Sequence, residues 1–162
     1  MLARQRLKAQ PLQKSQNIID GLWVTGGAGT SDVTNPSNGD VVITTANGDA
    51  ADATRAVEAA ASAFTGWSRT PAKRRSVLLR SWYNLLMENA DDLGAIMTAE
   101  QGKPLYESVG EIAYGASFIE YYAEECKRYK GDTIPTISND RRLQTYNQAV
   151  GVVGCITPWN FP

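Results

Sequence analysis

The residues with the clearest chemical potential lie in the last segment of the sequence, Thr157-Pro-Trp-Asn-Phe-Pro162. Asn160 supplies one side-chain amide, and Trp159 beside it supplies one large aromatic ring. Pro158 and Pro162 restrict the backbone on both sides of this pair and remove two hydrogen-bond donors. On turn statistics alone, Asn160 would satisfy its own turn and Trp159 would fill a core. A binding role therefore depends on where the preceding element places this loop.

That preceding element is predicted to be a strand from Val150 to Ile156. Its residues are apolar without polar alternation, which is typical of a strand covered on both faces, as in a parallel sheet. Ligands of such sheets bind just beyond the carboxyl ends of the strands, where residues 157–162 would lie. A parallel neighbour needs a crossover of about a dozen or more residues. No residue follows Pro162, so we expect the sequence to be the front part of a longer protein.

The cysteine and histidine content excludes two other kinds of chemistry. The sequence has two cysteines, Cys126 and Cys155, and no histidine. A zinc site of the usual kind and a triad with a histidine base are therefore excluded within this chain. Cys126 falls on the apolar face of a predicted helix and Cys155 inside the apolar strand, so neither is predicted to be a nucleophile. The low cysteine count favours a reducing compartment.

Two glycine-containing segments resemble phosphate-binding loops without meeting their requirements. Gly26-Gly-Ala-Gly29 lacks a third glycine of the dinucleotide fingerprint, and no helix pattern follows it. Glu100-Gln-Gly-Lys-Pro104 contains a Gly-Lys pair, but Met97 stands where a P-loop needs glycine, and Pro104 where it needs serine or threonine. Neither segment is predicted to bind phosphate.

Charge and hydropathy are those of an ordinary globular protein. The 162 residues include 16 basic and 17 acidic side chains, for a net charge of −1. This balance gives no electrostatic reason to expect nucleic acid or an anionic membrane as a partner. The basic cluster at residues 73–75 and Arg80 is interpreted as a solvated helix face. No apolar run approaches the roughly 18–20 residues of a membrane span.

The N-terminal region predicts a basic arm followed by antiparallel ribbons. Residues 1–17 carry basic side chains and no acid, which favours a solvated arm, with an organelle transit peptide as the alternative. Asp20-Gly21 between apolar runs predicts a hairpin over Ile18–Val24, because a type I′ turn needs positive φ at both central residues. Further strands are expected at residues 31–36 and 41–45.

The first two of four predicted helices follow these ribbons. Asp49 is the expected N-cap of a helix over residues 50–64. Thr70 is the expected N-cap of the second helix, with Pro71 at its first position. An apolar stripe on the second helix is formed by Leu78, Trp82 and Leu85.

The third and fourth helices are predicted from caps and periodicity. Asp91 or Asp92 begins the third helix, which ends at Gly102. The fourth runs over residues 105–128. Its apolar stripe contains Leu105, Val109, Ile112, Ala116, Ile119, Ala123 and Cys126. After a loop at Thr133-Ile-Pro135, the residues Arg142–Gln148 alternate without a strongly apolar face, which indicates an edge or intersubunit strand.

The ordered set of motifs resembles the NAD(P)-dependent aldehyde dehydrogenase superfamily, from about Ile19 to Pro162. The motifs are Asn35-Pro36 with Gly39, Glu100-Gln-Gly-Lys-Pro104, Gly151-Val-Val-Gly154 and Thr157-Pro-Trp-Asn-Phe-Pro162. Two more segments are similar to the succinate-semialdehyde dehydrogenase branch, which also includes glutarate-semialdehyde enzymes. These are Ser117-Phe-Ile-Glu-Tyr-Tyr-Ala-Glu-Glu125 and Gly131-Asp-Thr-Ile-Pro135.

The resemblance implies an α/β fold, specifically the N-terminal part of an aldehyde-dehydrogenase-like cofactor domain with an incomplete sheet. Antiparallel ribbons and several helices would occupy residues 18–140. Residues 141–149 would form an oligomerisation-type strand, and residues 150–162 the first buried strand and its loop. A homo-oligomer is implied for the full-length family. The expected location is cytoplasmic, with mitochondrial as the alternative.

The resemblance also implies an activity, the oxidation of a semialdehyde to the acid with NADP or NAD. Succinate semialdehyde is the favoured substrate, with glutarate semialdehyde left open. A cysteine thiolate attacks the carbonyl, hydride passes to the nicotinamide, and water hydrolyses the thioester. By resemblance, Asn160 is the oxyanion-hole residue, whose amide N–H stabilises the negative oxygen. Ile156, Thr157, Pro158 and Trp159, together with Asn160, would line the cofactor cleft.

The family's nucleophile, general base and remaining cofactor-binding residues lie beyond the matched loop. The chain alone is therefore expected not to turn over aldehyde. The alternative is a non-catalytic fragment that associates with full-length subunits. It would do so through Arg141–Gln148 or through the apolar run Val150–Ile156, since an unpaired apolar strand favours association.

Overall fold

The computed structural model describes residues 12–162, so the predicted basic arm lies largely outside the described residues. Strand β1 (Asn17–Ile19) pairs antiparallel with β2 (Leu22–Val24). The turn between them has φ of 52° at Asp20 and 73° at Gly21. Both values are positive, as a type I′ turn requires. The predicted hairpin is therefore confirmed.

A second ribbon is formed by β3 (Thr30–Thr34) and β4 (Val41–Ala46). The register shifts between Val33 and Thr34, which indicates a bulge near the end of β3. In the connecting loop, the Asn35 side chain accepts a hydrogen bond from the Ser37 N–H at 2.9 Å. Gly39 has φ of 76°, a conformation that favours glycine. Both predicted strands are confirmed.

Helix α1 (Ala50–Trp67) begins with a capping box. The Asp49 side chain accepts from the Asp52 N–H at 2.9 Å, and the Asp52 carboxylate accepts from the Asp49 N–H at 3.0 Å. Asp52 also accepts from the Gly27 N–H at 2.7 Å and pairs with Arg55. One carboxylate thus joins the glycine loop to the start of the helix. The loop excluded as a phosphate site has a structural role here.

This arrangement makes one contribution to stability depend on pH. Hydrogen bonds from the Gly27 N–H, the Asp49 N–H and Arg55 lower the pKa of Asp52 from 3.8 to about 2. Because the folded-state pKa is the lower one, the contribution is fully present above the unfolded pKa and is lost as pH falls toward the folded pKa. We expect the difference in melting temperature between the wild type and Asp52→Asn to be largest near neutral pH. It should shrink as pH falls from 3.8 to about 2. A pH-independent difference would contradict this assignment.

Three further helices form the packed part of the chain. These are α2 (Ala72–Glu88), α3 (Ala90–Gln101) and α4 (Leu105–Glu125), with α2 and α3 both packed on α4. Ala116, Ala123 and Ser108 of α4 are fully buried. Gly102 ends α3 with φ of 81°, as predicted. The stripe predicted for α4 is confirmed at its central positions.

Four helix boundaries differ from the prediction. Helix α1 ends at Trp67, three residues after the predicted end at residue 64. Helix α3 begins at Ala90 with Asn89 as its N-cap residue, so the predicted start at Asp91 or Asp92 is wrong.

Pro71, rather than Thr70, is the N-cap residue of α2. The Thr70 hydroxyl instead donates to the Gly66 carbonyl at 3.2 Å, so it satisfies the end of α1. Helix α4 ends at Glu125, three residues before the predicted Arg128, with Cys126 as its C-cap.

The apolar stripe predicted for α2 lies at the surface. Leu78, Trp82 and Leu85 are 40%, 54% and 58% exposed. The less exposed face of α2 carries Ser76, Leu79, Tyr83 and Leu86. Arg80 on this helix pairs with Glu120 and Glu124 of α4, which fixes the orientation of α2 on α4. Helix α2 therefore has apolar residues on two faces, and within residues 12–162 only one is covered.

The C-terminal region contains one short ribbon and no long strand. Strand β5 (Thr133–Ile134), predicted as a loop, pairs antiparallel with β6 (Leu143–Gln144). The predicted edge strand over Arg142–Gln148 is thus confirmed only at β6. Gly131 is needed at this ribbon, because a Cβ there would lie 1.9 Å from the Thr145 carbonyl oxygen.

The buried strand predicted at Val150–Ile156 is wrong for this structure. These residues have no strand pairing, and Val150 and Ile156 are almost fully exposed. A strand requires a neighbour for its backbone N–H and C=O groups. None of the strands among residues 12–162 lies beside this run, since the three two-stranded sheets are β1–β2, β3–β4 and β5–β6. The predicted α/β class with ribbons, helices and an incomplete sheet is confirmed.

None of the helices among residues 12–162 combines the length and apolarity that crossing a membrane would need. The same residues contain no group of three or more cysteine, aspartate or glutamate side chains suited to a metal ion.

Candidate functional site

The terminal loop, residues 157–162, is held in place by the Glu100–Pro104 segment. The Gln101 side-chain amide donates to the Trp159 carbonyl oxygen at 2.9 Å. The Lys103 ammonium donates to the Asn160 carbonyl oxygen, also at 2.9 Å. Within the loop, the Phe161 N–H donates to the Pro158 carbonyl at 3.3 Å. Two motifs that lie more than fifty residues apart therefore form one structural unit.

Lys103 is the centre of this unit. Its ammonium forms an ion pair with Glu111 of α4, and the two side chains are only 16% and 10% exposed. The same ammonium lies 4.8 Å from the centroid of the Phe161 ring, a cation–π contact. Since Lys103 lies in the connection between α3 and α4, its contacts join the loop to both helices.

The side chains predicted to bind and react are exposed. Trp159 is 87% exposed and Ile156 is fully exposed. Thr157, Pro158 and Asn160 are exposed as well. No hydrogen bond joins the Asn160 side-chain amide to another group within residues 12–162. The structure thus fixes the main chain of the loop and leaves the Asn160 amide available.

Asn160 and Trp159 border a shallow depression of about 300 Å³. Gln101, Lys103 and Glu107 also line it. Predicted site residues and the Glu100–Pro104 motif therefore share one surface. Ile156, Thr157 and Pro158 precede this depression along the chain and do not line it.

An apolar groove of about 360 Å³ lies next to the loop. Phe161 and Pro162 enter it from the loop side, and Met97, Ile112 and Leu86 line it from the helices. Phe161 is 52% exposed, so about half of its surface is covered. The end of the loop therefore lies beside apolar side chains of the helices.

Three acidic or thiol groups of the chain have distinct environments. Burial raises the pKa of Glu100, at the end of α3. Cys126 is half-buried, and its thiol donates to the Ala123 carbonyl at 3.4 Å, which fits the predicted structural role. Cys155, predicted to lie inside a covered strand, is exposed because that strand is not formed.

Sequence reasoning did not identify Gln101 and Lys103 as residues of this site. Their segment does not meet the requirements of a P-loop, and in the sequence it is informative only as one motif of the family resemblance. The contacts that matter cross 58 and 57 residues, and they end on main-chain oxygens. Every residue type has a main-chain carbonyl oxygen. The residue types at 159 and 160 therefore do not indicate that these hydrogen bonds form.

The class of protein follows from the fold together with this loop. The ribbons, the four helices and the terminal loop found within residues 12–162 correspond to the N-terminal part of aldehyde dehydrogenase structures. A profile of the aldehyde dehydrogenase family matches residues 23–162. The chain belongs to the aldehyde dehydrogenase family.

The chain is similar to several individual members of this family. The chain is 51% identical over 157 residues to a 3-sulfolactaldehyde dehydrogenase of Pseudomonas putida, covering 96% of this chain and 32% of the relative. It is 48% identical over 158 residues to an NADP(+) succinate-semialdehyde dehydrogenase of Escherichia coli, covering 97% and 33%. The crystal structure of succinate-semialdehyde dehydrogenase from Burkholderia pseudomallei superimposes with a TM-score of 0.93 at 45% identity, covering 97% and 33%. The chain spans about a third of the length of these relatives.

Proposed function

We propose that this chain supplies the oxyanion-hole segment of an NAD(P)-dependent semialdehyde dehydrogenase, with Asn160 as the donor. The observation that carries the proposal is the difference between the main chain of the loop, which is held, and the Asn160 side chain, which is not. The main chain of the loop is held by Gln101 and Lys103 at 2.9 Å each, whereas the Asn160 amide has no partner within residues 12–162. A donor must be fixed in position and unoccupied before reaction in order to stabilise a charge that develops later.

The oxyanion role fits the chemistry of an amide in this position. When a thiolate attacks an aldehyde, the carbonyl oxygen becomes negative, and an N–H already aimed at it lowers the barrier. One such donor contributes about 2.7–4 kcal/mol, because it needs no reorganisation during the reaction. Asn160 can donate from its side chain without breaking a contact that holds the loop, because those contacts end on main-chain oxygens.

The residues before Asn160 fit one wall of a dinucleotide cleft. Ile156 and Trp159 present exposed apolar surface, and Thr157 and Pro158 lie exposed between them. Ligand sites of this kind combine apolar walls with a few polar groups that fix orientation. We propose that these four residues and Asn160 contact NADP or NAD, which accepts the hydride when it is bound.

The proposed substrate is a short aldehyde with an anionic group at its far end, succinate semialdehyde first. The names of the two relatives support this class, because succinate semialdehyde carries a carboxylate and 3-sulfolactaldehyde carries a sulfonate. Glutarate semialdehyde, named for another relative at 50% identity, belongs to the same class.

The chain alone is expected not to oxidise succinate semialdehyde, because the family's attacking thiolate is not among its residues. The measurement is NADPH formation by the purified 162-residue chain. The matched sample is a chimera in which this chain replaces the aligned third of the Escherichia coli relative. We expect turnover by the chimera and none by the chain. Turnover by the chain alone, in a preparation free of host enzyme, would falsify this part of the proposal.

A second candidate is association without catalysis, favoured by the exposed apolar run Val150–Ile156. Val150, Val153 and Ile156 are 94%, 64% and 102% exposed. Exposed contiguous apolar surface favours binding to another surface. Size-exclusion chromatography of the chain, with and without a full-length relative, tests this candidate. A stable monomer that does not bind the relative would exclude it. Residues 141–149, which contain β6, are the proposed subunit contact in a homo-oligomer. The proposed location is cytoplasmic, with mitochondrial as the alternative.

A further inference from the structure

We infer that Lys103 is a positioning residue, which holds the main chain of the terminal loop so that the Asn160 amide meets the reacting oxygen. The inference rests on the proposed function of Asn160 and adds a residue that acts through it. Lys103 does not reach the Asn160 side chain. It binds the Asn160 carbonyl oxygen at 2.9 Å and so acts on the loop conformation.

The three contacts of Lys103 use the geometry of an ammonium group. One N–H donates to Glu111, a second to the Asn160 carbonyl, and the Phe161 ring lies 4.8 Å from the nitrogen. These contacts hold the ammonium to helix α4, to the main chain of the loop and to the Phe161 ring, respectively. Together they prevent the loop from moving relative to α4.

Glu111 gives the ammonium its fixed position. Its side chain is 10% exposed, and it lies on the helix that carries the fully buried Ser108 and Ala116. Helix α4 is the element on which α2 and α3 both pack, so Glu111 belongs to the most constrained part of the chain. Lys103 thus holds the main chain of Asn160 in a fixed position relative to α4.

Gln101 makes the parallel contact and shows that the loop is held at two successive carbonyls. Its amide donates to the Trp159 oxygen at 2.9 Å. The Gln101 Oε1 atom is buried without a partner among the described residues. An unpaired buried oxygen costs free energy, so a side chain placed only for stability would not favour this arrangement. The position of Gln101 is explained by the loop contact that its nitrogen makes.

The informative variant replaces both residues of the Lys103–Glu111 ion pair. Lys103→Met alone would leave the Glu111 carboxylate nearly buried without a partner, which destabilises the fold. Lys103→Met combined with Glu111→Leu replaces the pair with apolar side chains of similar size and is tolerated better. If this double variant fails to fold, Lys103→Met with Glu111→Gln serves the same purpose. The matched control removes the exposed pair Arg128–Glu125 in the same way.

The first readout is loop order in the chain itself, by NMR relaxation of the Trp159, Asn160 and Phe161 amides. In the wild type we expect backbone order parameters of about 0.85, as in rigid backbone. In the Lys103/Glu111 double variant the order parameters should fall below about 0.6. The melting temperature should be unchanged in this variant and in the Arg128/Glu125 control variant. Loop order that survives loss of Lys103 would overturn the inference.

The second readout is the turnover of the chimera described above. The Lys103/Glu111 double variant should lower kcat by on the order of 10²-fold with little change in KM, since misplacement of a catalytic group reduces rate in this range. In the Asn160→Ala background it should cause no further loss, because a residue that acts through Asn160 has nothing left to position. Losses that multiply would show that Lys103 acts independently, and would overturn the inference.

These readouts separate the two proposals. If Asn160→Ala leaves kcat unchanged, the proposed oxyanion role fails, and the order parameters still decide whether Lys103 holds the loop. If Asn160→Ala lowers kcat but the Lys103/Glu111 variant does not, the proposed function stands and the positioning role of Lys103 is excluded.

Discussion

Replacing Asn160 with alanine is expected to lower kcat of the chimera by about 10²–10³-fold, the effect of removing one oxyanion-hole donor. The change should appear in kcat and kcat/KM alike, because the interaction is made only in the transition state. Stability should be unaffected, since the Asn160 side chain is exposed and bonds to no other residue within 12–162. Steady-state kinetics with succinate semialdehyde and NADP, together with a thermal melt, provide the measurement.

Asn139→Ala is the matched control for this prediction. Asn139 is also an exposed asparagine in a loop, and it lies outside the terminal segment. Its replacement should leave kcat and melting temperature unchanged. Equal kcat for Asn160→Ala and the unsubstituted chimera would remove Asn160 from the reaction.

Gly94→Ala is expected to destabilise the chain by about 1–3 kcal/mol, the usual cost of overpacking. Gly94 is buried where α3 crosses α4. A Cβ at this position would lie 2.6 Å from the Val109 side chain and 3.0 Å from its main-chain nitrogen. The side chain could rotate, but the main-chain nitrogen belongs to α4 and can move only with the helix. Urea unfolding, followed by circular dichroism, measures the change in the free energy of unfolding.

Gly110→Ala tests the same substitution in open surroundings. Gly110 lies inside α4, and apart from the neighbouring residues and backbone of its own helix, no atom would come within 4 Å of an added Cβ. Alanine is favoured over glycine by about 0.5–1 kcal/mol in a helix interior, so this variant should be more stable than the wild type. If both variants shift stability in the same direction, the close approach of α3 to α4 is not what makes Gly94 necessary.

Local chemistry made the N-terminal half predictable. The Asp20-Gly21 turn and the Asp49 N-cap depend on residues that lie next to one another in sequence, and the structure shows both. The stripe of α4 was predictable because both α2 and α3 pack on that helix, which makes its periodicity clear. Helix α2 has two apolar faces, and periodicity alone did not show that Leu79 and Leu86, rather than Leu78 and Leu85, lie on the covered one.

The C-terminal region was less predictable because its structure depends on distant partners. The apolar run Val150–Ile156 has the composition of a covered strand, yet composition does not supply the hydrogen-bonding neighbour that a strand needs. The terminal loop shows the opposite case. Its composition suggested a turn, and its order comes from Gln101 and Lys103, which no local pattern connects to it.

The long-range contacts to the terminal loop end on carbonyl oxygens, which every amino acid carries. The conformation of the loop therefore depends on the side chains at positions 101 and 103. The side chain at position 160 takes no part in these contacts. Protein engineers can exploit this separation. Serine, glutamine or histidine placed at 160 would be presented on the same backbone, so a library at this single position would sample alternative donors without redesign of the scaffold.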